Sequence, residues 1–141
     1  MSQAKASMWF FKKTKKKEQP AVVWLEEVES TNDEMRRLPT ENGQRISVVV
    51  ADFQCKGRGQ GTNTWESERG KNLLFSIKIR PVMVPVRCQF LLSMAGGLAI
   101  KDALDAYTAG ITLKWPNDVY WNDRKICGTL IETTLSAGRI K

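Results

Sequence analysis

At 141 residues the chain is the size of one ordinary domain and is long enough to bury a core. Its 42% hydrophobic and 26% charged content excludes a disordered or collagen-like class, and no stretch approaches the roughly 20 apolar residues of a membrane-spanning helix. Histidine is absent, and Cys55, Cys88 and Cys127 are far apart with no CxxC pair; histidine-based catalysis is excluded, a zinc site is disfavoured, and free thiols suit a reducing, cytoplasmic setting.

The net charge of +7 is unevenly placed. Lys5, Lys12, Lys13, Lys15, Lys16 and Lys17 face only Glu18 in residues 1–20, so the body of the chain is nearly balanced. The expectation is a basic, disordered leader over 1–20, able to touch anions without specificity. Its apolar run Met8-Trp9-Phe10-Phe11 is too short, and followed instead of preceded by lysines, to be a signal peptide.

Pro20 marks a boundary. Residues 22–28 are β-branched and apolar and read as a strand that runs into Ser30-Thr31-Asn32. Thr31 with Glu34 fits a capping box, which predicts a short helix over 34–38 ended by Pro39, and a turn at 41–44. Residues 46–53 read as a buried strand, 56–71 as a loop holding Gly57, Gly59, Gly61 and Gly70, and 73–79 as a further strand stopped by Pro81. Apolar residues recur at helical spacing from Arg87 to Tyr107, with Gly96-Gly97 set for close packing on a sheet. Short strands are predicted at 111–115 and 119–121, broken by Pro116-Asn117-Asp118. A turn at Asn122-Asp123 and a returning strand over 126–134 follow. Strands, one long helix and a final hairpin predict a mixed α/β (α+β) domain, a mixed β-sheet flanked by helices.

Two segments carry chemistry. In Gln54-Cys55-Lys56-Gly57-Arg58-Gly59-Gln60-Gly61-Thr62-Asn63-Thr64-Trp65, glycines free the backbone so that successive amides can face an anion, Arg58 offers a planar cationic fork, and Trp65 can stack on a ring. It is neither a Walker A loop nor a dinucleotide fingerprint, and on physics alone a flexible hairpin loop is an equal reading. In Lys114-Trp115-Pro116-Asn117-Asp118, Pro116 breaks the strand. Asp118 could hold Mg²⁺ or a ribose hydroxyl, and Asn117 supplies a donor and an acceptor. Lys125, in Arg124-Lys125-Ile126-Cys127-Gly128, sits where a rigid strand could aim its ammonium at a carboxylate and a phosphate; an ordinary turn and a surface lysine are the plainer alternatives.

These segments resemble the biotin protein ligase family. KWPND followed by RKICG resembles that family's signature, the glycine loop resembles its GRGRxGRxW adenylate loop, and Ser30-Thr31-Asn32 and Ala51-Asp52-Phe53-Gln54 match its biotin-side segments, in order, over about residues 22–135. Lipoate ligases share the fold but not the pentapeptide. The resemblance implies a fold related to class II aminoacyl-tRNA synthetases, with residues 21–141 forming a catalytic domain that is incomplete at its C-terminal side. It also implies a two-step reaction: biotin and ATP give biotinyl-5′-AMP, and biotin then passes to a lysine of a biotin carboxyl carrier protein. By the same resemblance Lys125 and Arg58 are catalytic. Ser30, Thr31, Asn32, Gln54, Gly57 and Lys125 contact biotin. Arg58, Gly59, Trp65, Asn117 and Asp118 face the nucleotide, with Asp118 as the Mg²⁺ position. The glycine loop would order over the adenylate. A homodimer is compatible with the family; a specific nucleic-acid partner is not expected, since no helix-turn-helix precedes residue 22. The chain departs from the family at Gln60, Gly61-Thr62 and Asn63, where further loop cations are common, leaving Arg58 as the one arginine of the motif over 57–65. The alternatives are a lipoate or octanoate transferase of the same fold, or an inactive fragment that only binds.

Overall fold

The structure is a computed structural model that describes residues 21–38, 46–81, 84–136 and 139–140. The expected leader, the stop at Pro39 and the turn at 41–44 lie outside them. Strand β1 (Ala21–Val28) leads into helix α1 (Thr31–Arg37) and then into β2 (Ile46–Gln54). β1 and β2 are parallel, a pairing that needs a crossover, and α1 lies in it. After a short hairpin, β3 (Gly57–Arg58) with β4 (Thr64–Trp65), strand β5 (Leu74–Ile79) pairs antiparallel with β2, so the first sheet runs β1-β2-β5.

The two faces of this sheet differ. α1 packs on β2 and β5, burying Met35 against a face that carries Val49, Ala51 and Leu74. The opposite face holds the cross-strand rows Trp24–Val50–Phe75 and Val22–Val48–Ile77, and it leaves Trp24 69% exposed. On the covered face Ser76 is a buried polar residue at a position where alternation would place an apolar one.

A 3-10 turn (Val86–Cys88) precedes helix α2 (Phe90–Asp105), which is shorter than the predicted 87–107. α2 packs on the second sheet, an antiparallel meander of β6 (Ile111–Lys114), β7 (Asp118–Trp121) and β8 (Arg124–Gly128). Of the expected glycine pair, only Gly97 makes the close approach: a Cβ there would lie 3.7 Å from Leu113, whereas Gly96 faces open space. The β7–β8 turn uses Asn122 in the left-handed region, and Gly110 packs beneath its side chain too closely to admit a Cβ.

Two further expectations are corrected. The helix starts at Thr31, with Ser30 as N-cap and no side-chain cap, because the Thr31 hydroxyl is spent on Gln54. The returning strand β8 begins at Arg124 and ends at Gly128, not Thr134; its continuation leaves the sheet at Thr129, whose N–H donates to the Asn117 carbonyl. Residues 129–134 are irregular, and a short pair, β9 (Leu135–Ser136) with β10 (Arg139–Ile140), follows. No helix among the described residues is long and apolar enough to cross a membrane.

Candidate functional site: a neutral cluster beside a charged one

The site lies where the first sheet, the β3–β4 hairpin and the end of β8 meet. Its neutral half is built by α1's first turn and the end of β2. Gln54 Oε1 accepts from the Thr31 backbone N–H at 2.7 Å and from the Thr31 hydroxyl at 2.9 Å. Behind them Ser76 donates to Thr31 Oγ1 at 2.8 Å and also meets Asn32 Oδ1. Ser30 and Thr31 are 4% and 5% exposed. A buried hydroxyl left unpaired costs about 1–3 kcal/mol, so this relay locks the Gln54 amide in one orientation. With its oxygen occupied twice, the amide nitrogen turns toward Gly57: a Cβ on Gly57 would stand 3.3 Å from Gln54 Nε2 and 2.4 Å from the Trp65 carbonyl oxygen. Only glycine fits there.

The charged half surrounds the hairpin. Arg58 forms a two-pronged pair with Asp33, Nη1 to Oδ2 at 3.1 Å and Nη2 to Oδ1 at 3.0 Å, and its Nη2 reaches Glu132 Oε1 at 3.3 Å. Glu132 Oε2 in turn accepts from Arg36 at 2.7 Å and from Asn32 Nδ2 at 3.0 Å. The Glu132 hydrogen bond holds the Arg36 guanidinium above its ordinary value. Lys125 lies 2.8 Å from Asp118 Oδ1 as an ion pair without hydrogen-bond angles, and 5.7 Å over the Trp65 ring. Gly128 closes this corner, since a Cβ there would sit 3.2 Å from Trp65 Cζ3 and 3.3 Å from Lys125 Cε. Burial pushes the neighbouring Cys127 thiol up, partly opposed by its hydrogen bond to Thr129.

Most sequence-predicted residues converge here, some in other roles than expected. Ser30, Thr31, Gln54 and Gly57 form the neutral half, and Arg58, Trp65, Asp118 and Lys125 the charged half. The Asn32 amide spans the two by bonding Ser76 and Glu132. The Asn117 side chain donates to the Thr129 carbonyl at 3.1 Å and fixes the chain leaving β8. In the loop the N–H groups of Cys55, Lys56, Gly59 and Asn63 donate to backbone carbonyls, and the loop folds into a hairpin turned at Gly61. The donor set does not make a protein-held magnesium site. Among the described residues no three acidic or sulfur groups cluster, and Asp118 is engaged by Lys125.

Sequence reasoning missed Ser76, Asp33 and Glu132. Ser76 carried a signal, a serine on the inward face of an alternating strand. Glu132 carried none, being 74 positions from Arg58.

The biotin/lipoate A/B protein ligase family model matches residues 24–140. Biotin–protein ligase 2 of Arabidopsis thaliana is 34% identical over 120 residues, 80% of this chain and 35% of that protein. The structure of the Leishmania major biotin protein ligase in complex with biotin aligns with a TM-score of 0.71 at 32% identity, over 86% of this chain and 54% of that one. The Aquifex aeolicus biotin protein ligase in complex with biotin and ATP aligns with a TM-score of 0.68 at 34% identity, over 85% of this chain and 49% of that one. The chain spans about a third of the length of the curated relatives it matches.

Proposed function

The chain belongs to the biotin/lipoate A/B protein ligase family, and from that premise we propose that it carries the biotin- and nucleotide-facing core of an ATP-dependent biotin protein ligase. The observation that carries this reading is the locked Thr31–Gln54–Ser76 relay next to the Arg58 and Lys125 cations. A cyclic urea needs a short set of oriented neutral donors and acceptors, and a carboxylate attacking a phosphate needs fixed positive charge.

In the first step a carboxylate oxygen of biotin attacks the α-phosphorus of ATP, the bond to the β-phosphate oxygen breaks, and pyrophosphate leaves. Gln54, Thr31 and Ser30 hold the ureido ring. Lys125, directed by Asp118, bridges the attacking carboxylate and the α-phosphate, and Arg58 offsets charge on the same phosphate. Trp65 covers the adenylate, and Gly59 and Asn117 shape the nucleotide wall. A magnesium ion, if bound, would be held mainly by the ATP phosphates and would offset their charge. In the second step the amine of a carrier-protein lysine attacks the biotinyl carbonyl, AMP departs and the amine loses a proton. The three free thiols fit a reducing, cytoplasmic setting.

A calorimetric titration separates this reading from a lipoyl or octanoyl transferase. Biotin should bind saturably and lipoate should not; the reverse preference would transfer the assignment to the rival substrate.

A further inference from the structure

We propose that Glu132, in the irregular segment after β8, is a positioning residue that sets the direction of the Arg58 guanidinium and so couples the glycine hairpin to α1. The inference rests on the reading of Arg58 as the cation facing the adenylate.

Glu132 uses both oxygens. Oε2 is anchored by Arg36 and Asn32, two residues of α1, so the carboxylate itself has little freedom. Oε1 is then left facing Arg58 Nη2. Asp33, one turn of α1 away from Arg36 and also paired with it at 3.2 Å, supplies the second carboxylate of the fork. The Arg58 guanidinium is thus held on its terminal nitrogens by two carboxylates that are themselves held by α1. On a two-residue strand next to a glycine turn, the clamp gives a direction to an arginine side chain that has four torsions to fix. The pairs are partly exposed, with Arg58 at 40% and Glu132 at 38%, so they add little to fold stability, and their consequence is orientation.

The test is a double-mutant cycle in biotin-dependent ATP–pyrophosphate exchange, on Glu132→Gln, Arg58→Ala and the pair. Glu132→Gln keeps the shape and removes the charge. It should lower kcat/KM for ATP by about tenfold, the scale expected when a reacting group is misplaced, with the biotin KM and the melting temperature unchanged. The double variant should be no slower than Arg58→Ala alone, because Glu132 acts only through Arg58. Arg36→Gln, which removes the anchor and leaves the clamp, should reproduce part of the loss. Wild-type kinetics in Glu132→Gln, or losses that add in the double variant, overturn the proposal while leaving the adenylate reading of Arg58 intact. An Arg58→Ala protein with full exchange would remove that reading itself.

Discussion

The two halves of the site solve opposite problems. Around Thr31, Gln54 and Ser76 the groups are neutral, buried and satisfied by one another before any ligand arrives. Around Arg58 and Lys125 the groups are charged, partly exposed and paired with carboxylates. The difference follows from cost. An unpaired polar group deep in the fold is expensive, so its hydrogen bonds must be permanent, whereas an exposed ion pair is worth about 0–1 kcal/mol and can be exchanged cheaply. In the proposed reading, specificity for a neutral ring belongs to the rigid half, and the reacting charge belongs to the partly exposed half.

The contrast is broken most severely at Lys125. Lys125→Ala should cut biotin-dependent exchange by about 10²-fold or more while leaving the melting temperature intact, since the residue supplies charge at the reacting atoms and little packing. Near-native exchange in a folded variant would place the reacting charge elsewhere. Thr31→Val addresses the opposite half. It removes one donor to Gln54 and the acceptor of Ser76, so it should cost about 1–3 kcal/mol of stability in denaturant unfolding and weaken biotin binding together. A stability loss without an affinity loss would separate the relay from ligand recognition.

Much of this arrangement could be read in the chain before folding. Alternation located the strands, the family resemblance brought Thr31 and Gln54 to one place, and the residue pattern put Lys125 on its strand. The local device at the helix start was misjudged because a capping box competes with the tertiary bond from Thr31 to Gln54, and the tertiary bond won. In the glycine loop, glycine freedom permits a hairpin as readily as a nest, and backbone pairing at Gly59 and Asn63 shapes it as a hairpin. The Arg58 clamp was out of reach for a different reason: Asp33 and Glu132 lie on segments whose meeting depends on the whole topology.

Salt should sharpen the comparison more gently. Raising ionic strength from about 0.1 M to about 1 M shortens the screening length from about 10 Å to about 3 Å. Calorimetry should then show affinity for a non-hydrolysable biotinyl-adenylate analogue falling further than affinity for biotin. Equal losses would mean that both ligands rest on the same charges. The smallest expected effect is at the thiols. Cys55 is exposed, whereas burial raises the Cys127 thiol above its ordinary value and lowers its thiolate fraction at neutral pH. Mass-spectrometric mapping of iodoacetamide labelling at neutral pH should find Cys55 modified first, and bound adenylate analogue should slow Cys127 further. Faster labelling at Cys127 would show that the corner around Gly128 is open.

The central proposal, that a preset neutral cluster delivers a carboxylate to the Arg58 and Lys125 cations for adenylation, is tested most directly by isotope exchange between pyrophosphate and ATP. Label should enter ATP when biotin is present and not when it is absent or replaced by lipoate. A protein that binds biotin saturably and yet exchanges no label, or that exchanges label equally without biotin, would contradict it.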